Sequence, residues 1–321
     1  MNRTAKLATL VSMAVLIALP ACATADSANA PISDVARRVQ ALLPLDTLLL
    51  GEQHDAADHQ RIHHDVIASL AARGALGAVV IEMAQQGYST QGMDPASSED
   101  SIRTALRWDD KAWSWPPYAP AIMAAVRAGV PVIGANLPRE QMRHVMAQKD
   151  LDQRLSGPAL KAQQQLIRSG HCGLLPEGQI TPMTRIQIAR DVAMANTLAQ
   201  AVKTAVAEGS QNYKTVVLLA GSGHVDKALG IPQHLPAGLT SKSVLLSADA
   251  DFSRSQAHSS FDLVWPSAQV AKKDYCADLK LKMGGQQIRD SVPSFGLDPR
   301  SAYYLGPFGN FVVQEFGGLL G

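Results

Sequence analysis

Four apolar runs in this chain each end in a small polar signature, and that recurrence constrains the fold more than any other feature. The runs Thr47–Leu50, Ala78–Ile81, Val130–Gly134 and Val216–Ala220 are β-branched or leucine-rich and nearly unbroken. Strands of a parallel sheet covered on both faces read this way, because neither face meets water. Just past their C-terminal ends stand Glu52 with His54, Glu82, Asn136 and His224. In open α/β sheets the ligand crevice lies outside the carboxyl ends of the strands. Residues distant in sequence are therefore expected at one rim, as a shared site.

Helical patterns fill the intervals between the runs. Residues 31–42 and 55–72 read as helices, the second with Ile62, Val66, Ile67, Leu70 and Ala71 on one stripe and Gly74 as its stop. Ser97 or Ser98 caps a further helix through Leu106, and 117–128 is another that Gly129 ends. This alternation predicts an α/β fold with a mostly parallel sheet flanked by helices. Residues 31–138 and 211–280 are assigned to that core, with further strands at 243–247 and 261–265. Residues 139–210 carry helix patterns at 139–149, 158–169 and 182–207 and read as a helical insertion or cap subdomain. Its last helix is expected to start at Thr181 as N-cap with Pro182 at the first helical position. The glycine-rich stretch 281–321 has no assignable role.

The start of the chain reads as an export signal: Arg3 and Lys6 precede the short apolar run Leu7–Ala18, which is too short to span a bilayer. Leu19-Pro20-Ala21-Cys22 resembles a lipobox, in which Cys22 becomes a lipidated N-terminus; ordinary cleavage after Ala23, Ala25 or Ala30 is the alternative. Residues 1–30 are thus expected to be a signal and tether, placing the mature chain in a bacterial cell envelope and touching a membrane only through its anchor. In that oxidising setting Cys172 and Cys276 are expected to form a disulfide, with two buried free thiols as the alternative. Lysine plus arginine number 29 against 28 acidic residues, so no charge field points to nucleic acid.

The chemistry lies in the strand-end residues. Gly51-Glu52-Gln53-His54 and Gly221-Ser222-Gly223-His224 share a strand-then-Gly-x-x-His form. Two imidazoles with one or two carboxylates suit a divalent metal such as zinc, with His54, Glu82 and His224 as ligands. They equally suit catalysis by Glu52, His54, Glu82 and His224 with a histidine base held by a carboxylate. His59-Gln60-Arg61-Ile62-His63 lacks the glutamate that a zinc-protease helix needs, so these histidines and His64 are read as solvated surface residues, with a place at the rim beside His54 as the alternative for His59. The stretch Trp113-Ser-Trp-Pro-Pro-Tyr118, with Trp108 near it, is either a wall for a flat ligand or a packed corner of the core. Tyr88 is a second phenol near the rim. No GxSxG elbow or phosphate-binding glycine loop is present.

At these residues the chain resembles the ChaN haem-uptake lipoproteins, within a superfamily that includes Tiki proteases and erythromycin esterases. The matching pieces are the lipobox, LLLGEQHDAADHQ, VVIEMA, WPPYAP, VIGANLPRE and VVLLAGSGHVDKALGIPQHL, in that order over about residues 45–250. The resemblance implies a lipid-anchored haem-binding protein serving iron acquisition with outer-membrane uptake machinery, binding haem across a homodimer through a tyrosine. Residues 139–210 contain no tyrosine, so the haem-ligand candidates are Tyr88, Tyr118, His171 and Met183. The resemblance also leaves open a metal-dependent hydrolase built on Glu52, His54, Glu82 and His224.

Overall fold

A computed structural model describes residues 34–207, 214–248 and 260–281, together with the short strand pair Ser301–Ala302 and Gln314–Glu315. The expected signal segment and tether over residues 1–30, with Cys22, and the rest of the 281–321 tail lie outside the described residues.

The core is a six-stranded sheet in the order β3-β2-β4-β1-β5-β6, with every strand pair parallel. Its strands are β1 Thr47–Glu52, β2 Leu76–Gln85, β3 Val132–Asn136, β4 Thr215–Gly221, β5 Ser241–Ser247 and β6 Leu263–Pro266. The unbroken apolar runs have a direct cause. Leu48, Leu50, Val79, Ile81, Val217 and Leu219 face one packed layer, while Leu49, Ala78, Val80, Val216 and Leu218 face another. A parallel strand with helices on both sides has no solvent face, so successive residues are all apolar.

The first layer packs α1 (Asp34–Leu42), α2 (Ala57–Ala72), α3 (Glu99–Ala105) and α4 (Trp115–Arg127) on the sheet. Ser98 caps α3 by accepting the Ser101 backbone N–H. The second layer is the C-terminal half of α7, Glu177–Ala207, through Met194, Ala195, Leu198, Ala201 and Val202. The N-terminal half of α7 joins α5 (Met142–Ala147) and α6 (Gly157–Gly170) around a separate cluster of Leu137, Val145, Leu151, Leu155, Ile186 and Ile188. One helix thus serves both the sheet and the helical region of 139–210.

The start of α7 corrects the sequence expectation. The helix begins at Glu177, and Pro182 lies inside it. Proline there removes one N–H, which would have reached the carbonyl of Gly178; that residue is exposed, so water can take the carbonyl.

The topology positions the site. The chain runs from β1 outward to β2 and β3, then returns to insert β4 between β2 and β1 before continuing to β5 and β6. That reversal makes a crevice at the carboxyl ends of β2, β4 and β1. Register does the rest: Glu52 pairs with Gly221 across β1 and β4, and Ile81 pairs with Leu219 across β2 and β4.

Candidate functional site

The structure brings Glu52, His54, Glu82 and His224 together at this rim. Glu52 ends β1 and is fully buried. Its Oε1 accepts the Tyr118 hydroxyl of α4 at 2.7 Å and meets His54 Nδ1 at 2.6 Å. Its Oε2 accepts Gln60 Nε2 at 2.7 Å and lies 3.5 Å from His63 Nδ1. Glu82 projects from β2 into the same space. Its Oε2 accepts the Gly221 backbone N–H at 2.8 Å and lies 3.8 Å from His54 Nε2, while its Oε1 lies 3.3 Å from His224 Nε2. On its other side His224 Nδ1 meets Asp191 Oδ1 of α7 at 2.6 Å. A continuous line of polar groups therefore runs from Tyr118 through Glu52, His54, Glu82 and His224 to Asp191.

Two backbone features make the line possible. A Cβ on Gly221 would sit 2.8 Å from His54 Nε2, so only glycine admits the imidazole there. On β2 the pairing with β3 slips between Ile81 and Gln85, and the bulged segment folds over Gly134. A Cβ on Gly134 would lie 2.3 Å from the Gln85 carbonyl oxygen. Bulges of this kind re-aim side chains, here Glu82. Asn136 secures the arrangement by donating Nδ2 to the Glu82 backbone carbonyl at 3.0 Å.

The charges settle by partnership. Burial would lower the pKa of His224, but Glu82 and Asp191 on its two sides outweigh it and push it up to about 10. Burial would likewise raise Glu82, and the two imidazoles with the Gly221 N–H hold it well below the ordinary carboxylate range. Glu52 is lowered and His54 raised in the same way, each by the other against burial. Asp191 differs: desolvation prevails and carries it up to about 6. The Gln187 side-chain amide lies 3.1 Å from His224 Nδ1; with that nitrogen donating to Asp191, the amide oxygen is the end that suits it.

His54, Glu82 and His224, the residues with a zinc-like pattern in the sequence, pair here with one another. Each imidazole and its carboxylates favour one another's charged forms, and both ring nitrogens of His54 and of His224 face a carboxylate oxygen. Among the described residues no group of three or more His, Cys, Asp or Glu side chains is set to hold a metal ion. What the arrangement offers chemically is a buried acid–base line in which His54 has a carboxylate on each ring nitrogen.

The α2 histidines are a second correction. His59 and His63 are fully buried, and only His64 is substantially exposed. Residues 59, 63, 66 and 70 follow helical spacing on the core side of α2, so the two histidines continue the Val66–Leu70 stripe. His59 accepts the Gln53 N–H at 2.9 Å and contacts Ser267 Oγ at 2.9 Å, and burial carries its pKa down to about 4. Sequence reasoning also passed over Gln60, Gln187 and Asp191. The last two stand four apart among Ile186, Ile188 and Ala189 on a buried helix, and an acid on such a face was the available signal.

The aromatic stretch is both corner and wall. Trp115 and Tyr118 are buried, with Trp115 Nε1 donating to Glu99 at 3.0 Å, while the half-buried Trp113 sets its ring edgewise on His54 at 4.8 Å. Of the four haem-ligand candidates, Tyr118 is committed to Glu52. His171 is buried at the end of α6 with Nδ1 2.7 Å from the Ile167 carbonyl. Met183 packs partly buried against the α5–α7 cluster. Tyr88 is half-buried in the loop after β2, with the Arg107 guanidinium 4.9 Å from its ring centre.

Comparison with known proteins agrees with this architecture. The solved structure titled "Cofacial heme binding to ChaN of Campylobacter jejuni" superposes with a TM-score of 0.52 at 23% identity, covering 66% of this chain and 85% of that one. The type III effector HopBA1 is more distant, with a TM-score of 0.43 at 14% identity over 74% of this chain and 94% of its own. No curated protein matches significantly. The profile described as "Haem-binding uptake, Tiki superfamily, ChaN" matches residues 38–235, more than half of the chain and all of the rim residues described above. The chain belongs to the ChaN family of haem-binding uptake proteins.

Proposed function

We propose that this protein binds haem at the bacterial cell envelope and serves haem or iron acquisition, tethered to the outer membrane through Cys22. The observation that carries the reading is the family match over residues 38–235, which takes in β1 to β4 and the helical region. Tyr88 fits the group best among the four candidates, because its ring is half-exposed and a cation lies beside it. Tyrosine oxygen is an established haem ligand, and an adjacent guanidinium suits a carboxylate-bearing porphyrin. Met142, Met146 and Met183 are partly buried in the helical region and offer soft, adaptable contacts to a flat apolar ligand. Bound haem would supply the redox-active iron cargo; the chain's own part is to hold and shield it. A homodimer is part of this proposal, and the solved structure similar to this chain is titled for cofacial haem binding in the Campylobacter jejuni protein.

Haemin titrated into the soluble domain is expected to give a saturable Soret shift with one haem per chain, and gel filtration a larger species on loading. Tyr88→Phe should weaken binding by about tenfold or more, the scale of one lost ligand. No saturable shift at micromolar haemin would sink the reading. For the anchor, Cys22→Ser should move the protein from the membrane pellet to the soluble fraction; an unchanged distribution would remove lipidation from the proposal.

A further inference from the structure

Beyond β6 the chain continues as a strap over residues 267–281 that is pinned at both ends. At its start, Ser267 donates its backbone N–H to the Ser247 carbonyl and contacts His59, and Ala268 donates its N–H to Asp58 at 2.8 Å. Residues 271–274 are exposed and have no regular structure. At its end lies a short helix over 275–281, in which Leu279 is the one buried apolar side chain. Tyr275 donates its hydroxyl to Asp55 at 2.8 Å and accepts Gln53 Nε2 at 3.1 Å. Those two residues flank His54. The neighbouring Cys276 is bonded to Cys172 across 104 residues.

The far anchor is built for this bond. At the end of α6 the N–H of Cys172 reaches the Ser169 carbonyl and that of Gly173 reaches the Arg168 carbonyl, a Schellman termination. Its left-handed position normally takes glycine, yet here Cys172 holds it with φ of 57°. A side chain is kept where the backbone disfavours one, and the disulfide is what that side chain does. Both half-cystines are partly exposed, not sealed in the core.

We propose that Cys172–Cys276 is a redox-sensitive latch that clamps the 275–281 helix onto the 53–55 loop and thereby fixes His54 in the rim. Opening it takes a dithiol. One thiolate attacks a protein sulfur to give a mixed disulfide, and the second thiol closes the reagent into a cyclic disulfide. Two electrons and two protons pass to Cys172 and Cys276, which become thiols. Without the bond, Leu279 and the Tyr275 hydrogen bonds are what remain at that end among the described residues, so strap and loop open locally while the sheet stays closed.

Hydrogen exchange on the whole chain, with and without dithiothreitol in native buffer, tests this. Once mass confirms reduction, peptides covering 53–59 and 267–281 should exchange about tenfold faster or more, and those of β1 and β4 should not change. Tyr275→Phe, with the disulfide intact, should loosen 53–59 while leaving 170–174 unaffected. Cys172→Gly removes the bond and relieves the left-handed position, and should reproduce the reduced pattern in a stably folded chain. Unchanged protection of 53–59 after verified reduction would overturn the latch. Equal acceleration of loop and strands would overturn it too, by assigning the bond to overall stability.

Discussion

His224→Ala is expected to destabilise the fold by about 3–5 kcal/mol at pH 8, the scale found when one partner of a buried ion pair is removed. The substitution strands Glu82 and Asp191, two buried carboxylates that His224 separates and neutralises at 3.3 and 2.6 Å. Its pH dependence identifies the cause. In the wild type, His224 is raised from 6.5 to about 10, so its contribution is fully present below about pH 6.5 and is lost as pH rises through about 10. The variant lacks that alkaline decline. Its two carboxyls, no longer held by an imidazolium, take up protons on acidification, so below about pH 6.5, where the His224 contribution is constant, the gap to wild type should narrow toward pH 5, and above it the gap should shrink toward pH 9 as His224 loses its proton. Urea denaturation at pH 5, 7 and 9 reads both effects. A loss below about 1 kcal/mol at pH 8 would refute the ion-pair account, as would one of equal size at all three values.

Gly134→Ala is expected to cost about 3 kcal/mol, at the upper end for forcing a methyl into a packed interior. The new Cβ would sit 2.3 Å from the Gln85 carbonyl oxygen and 2.9 Å from the Ala84 carbonyl carbon, and backbone atoms cannot swing aside. To make room the β2 bulge must move, taking Glu82 away from His224 and Gly221. Gly221→Ala is the informative contrast: its Cβ meets the end of the His54 ring at 2.8 Å, and a side chain can rotate. Its stability cost should be nearer about 1 kcal/mol, with the loss concentrated in the His54–Glu82 contact. Thermal melts together with imidazole proton resonances would separate the two. Equal melting temperatures for Gly134→Ala and wild type would discard the bulge as the device that aims Glu82.

How much of this was legible depends on the range of the forces involved. The sheet was legible because burial on both faces writes itself into consecutive residues, as at Leu48, Leu49 and Leu50. The rim was legible because parallel strands deliver all their carboxyl ends to one side, which brings Glu52, His54, Glu82 and His224 together whatever the helices do. The α2 histidines were misjudged because polarity was weighed above position: His59 and His63 share the inner face with Val66 and Leu70. The start of α7 was misplaced because Pro182 is a strong local stop signal, yet packing of Ile180 and Ile186 carries the helix across it.

From the sequence alone came the layer order, the parallel sheet and the choice of edge that carries the site, since each follows from periodicity and strand direction. The charge state of that site was decided only in three dimensions. How His224 is charged depends on Asp191 as well as Glu82, the former brought from a helix 33 residues away to within 2.6 Å of its ring. Whether Tyr118 serves a ligand or a carboxylate depends on α4 meeting the end of β1. An imidazole or a phenol has several possible roles in water, and only the groups packed against it choose among them.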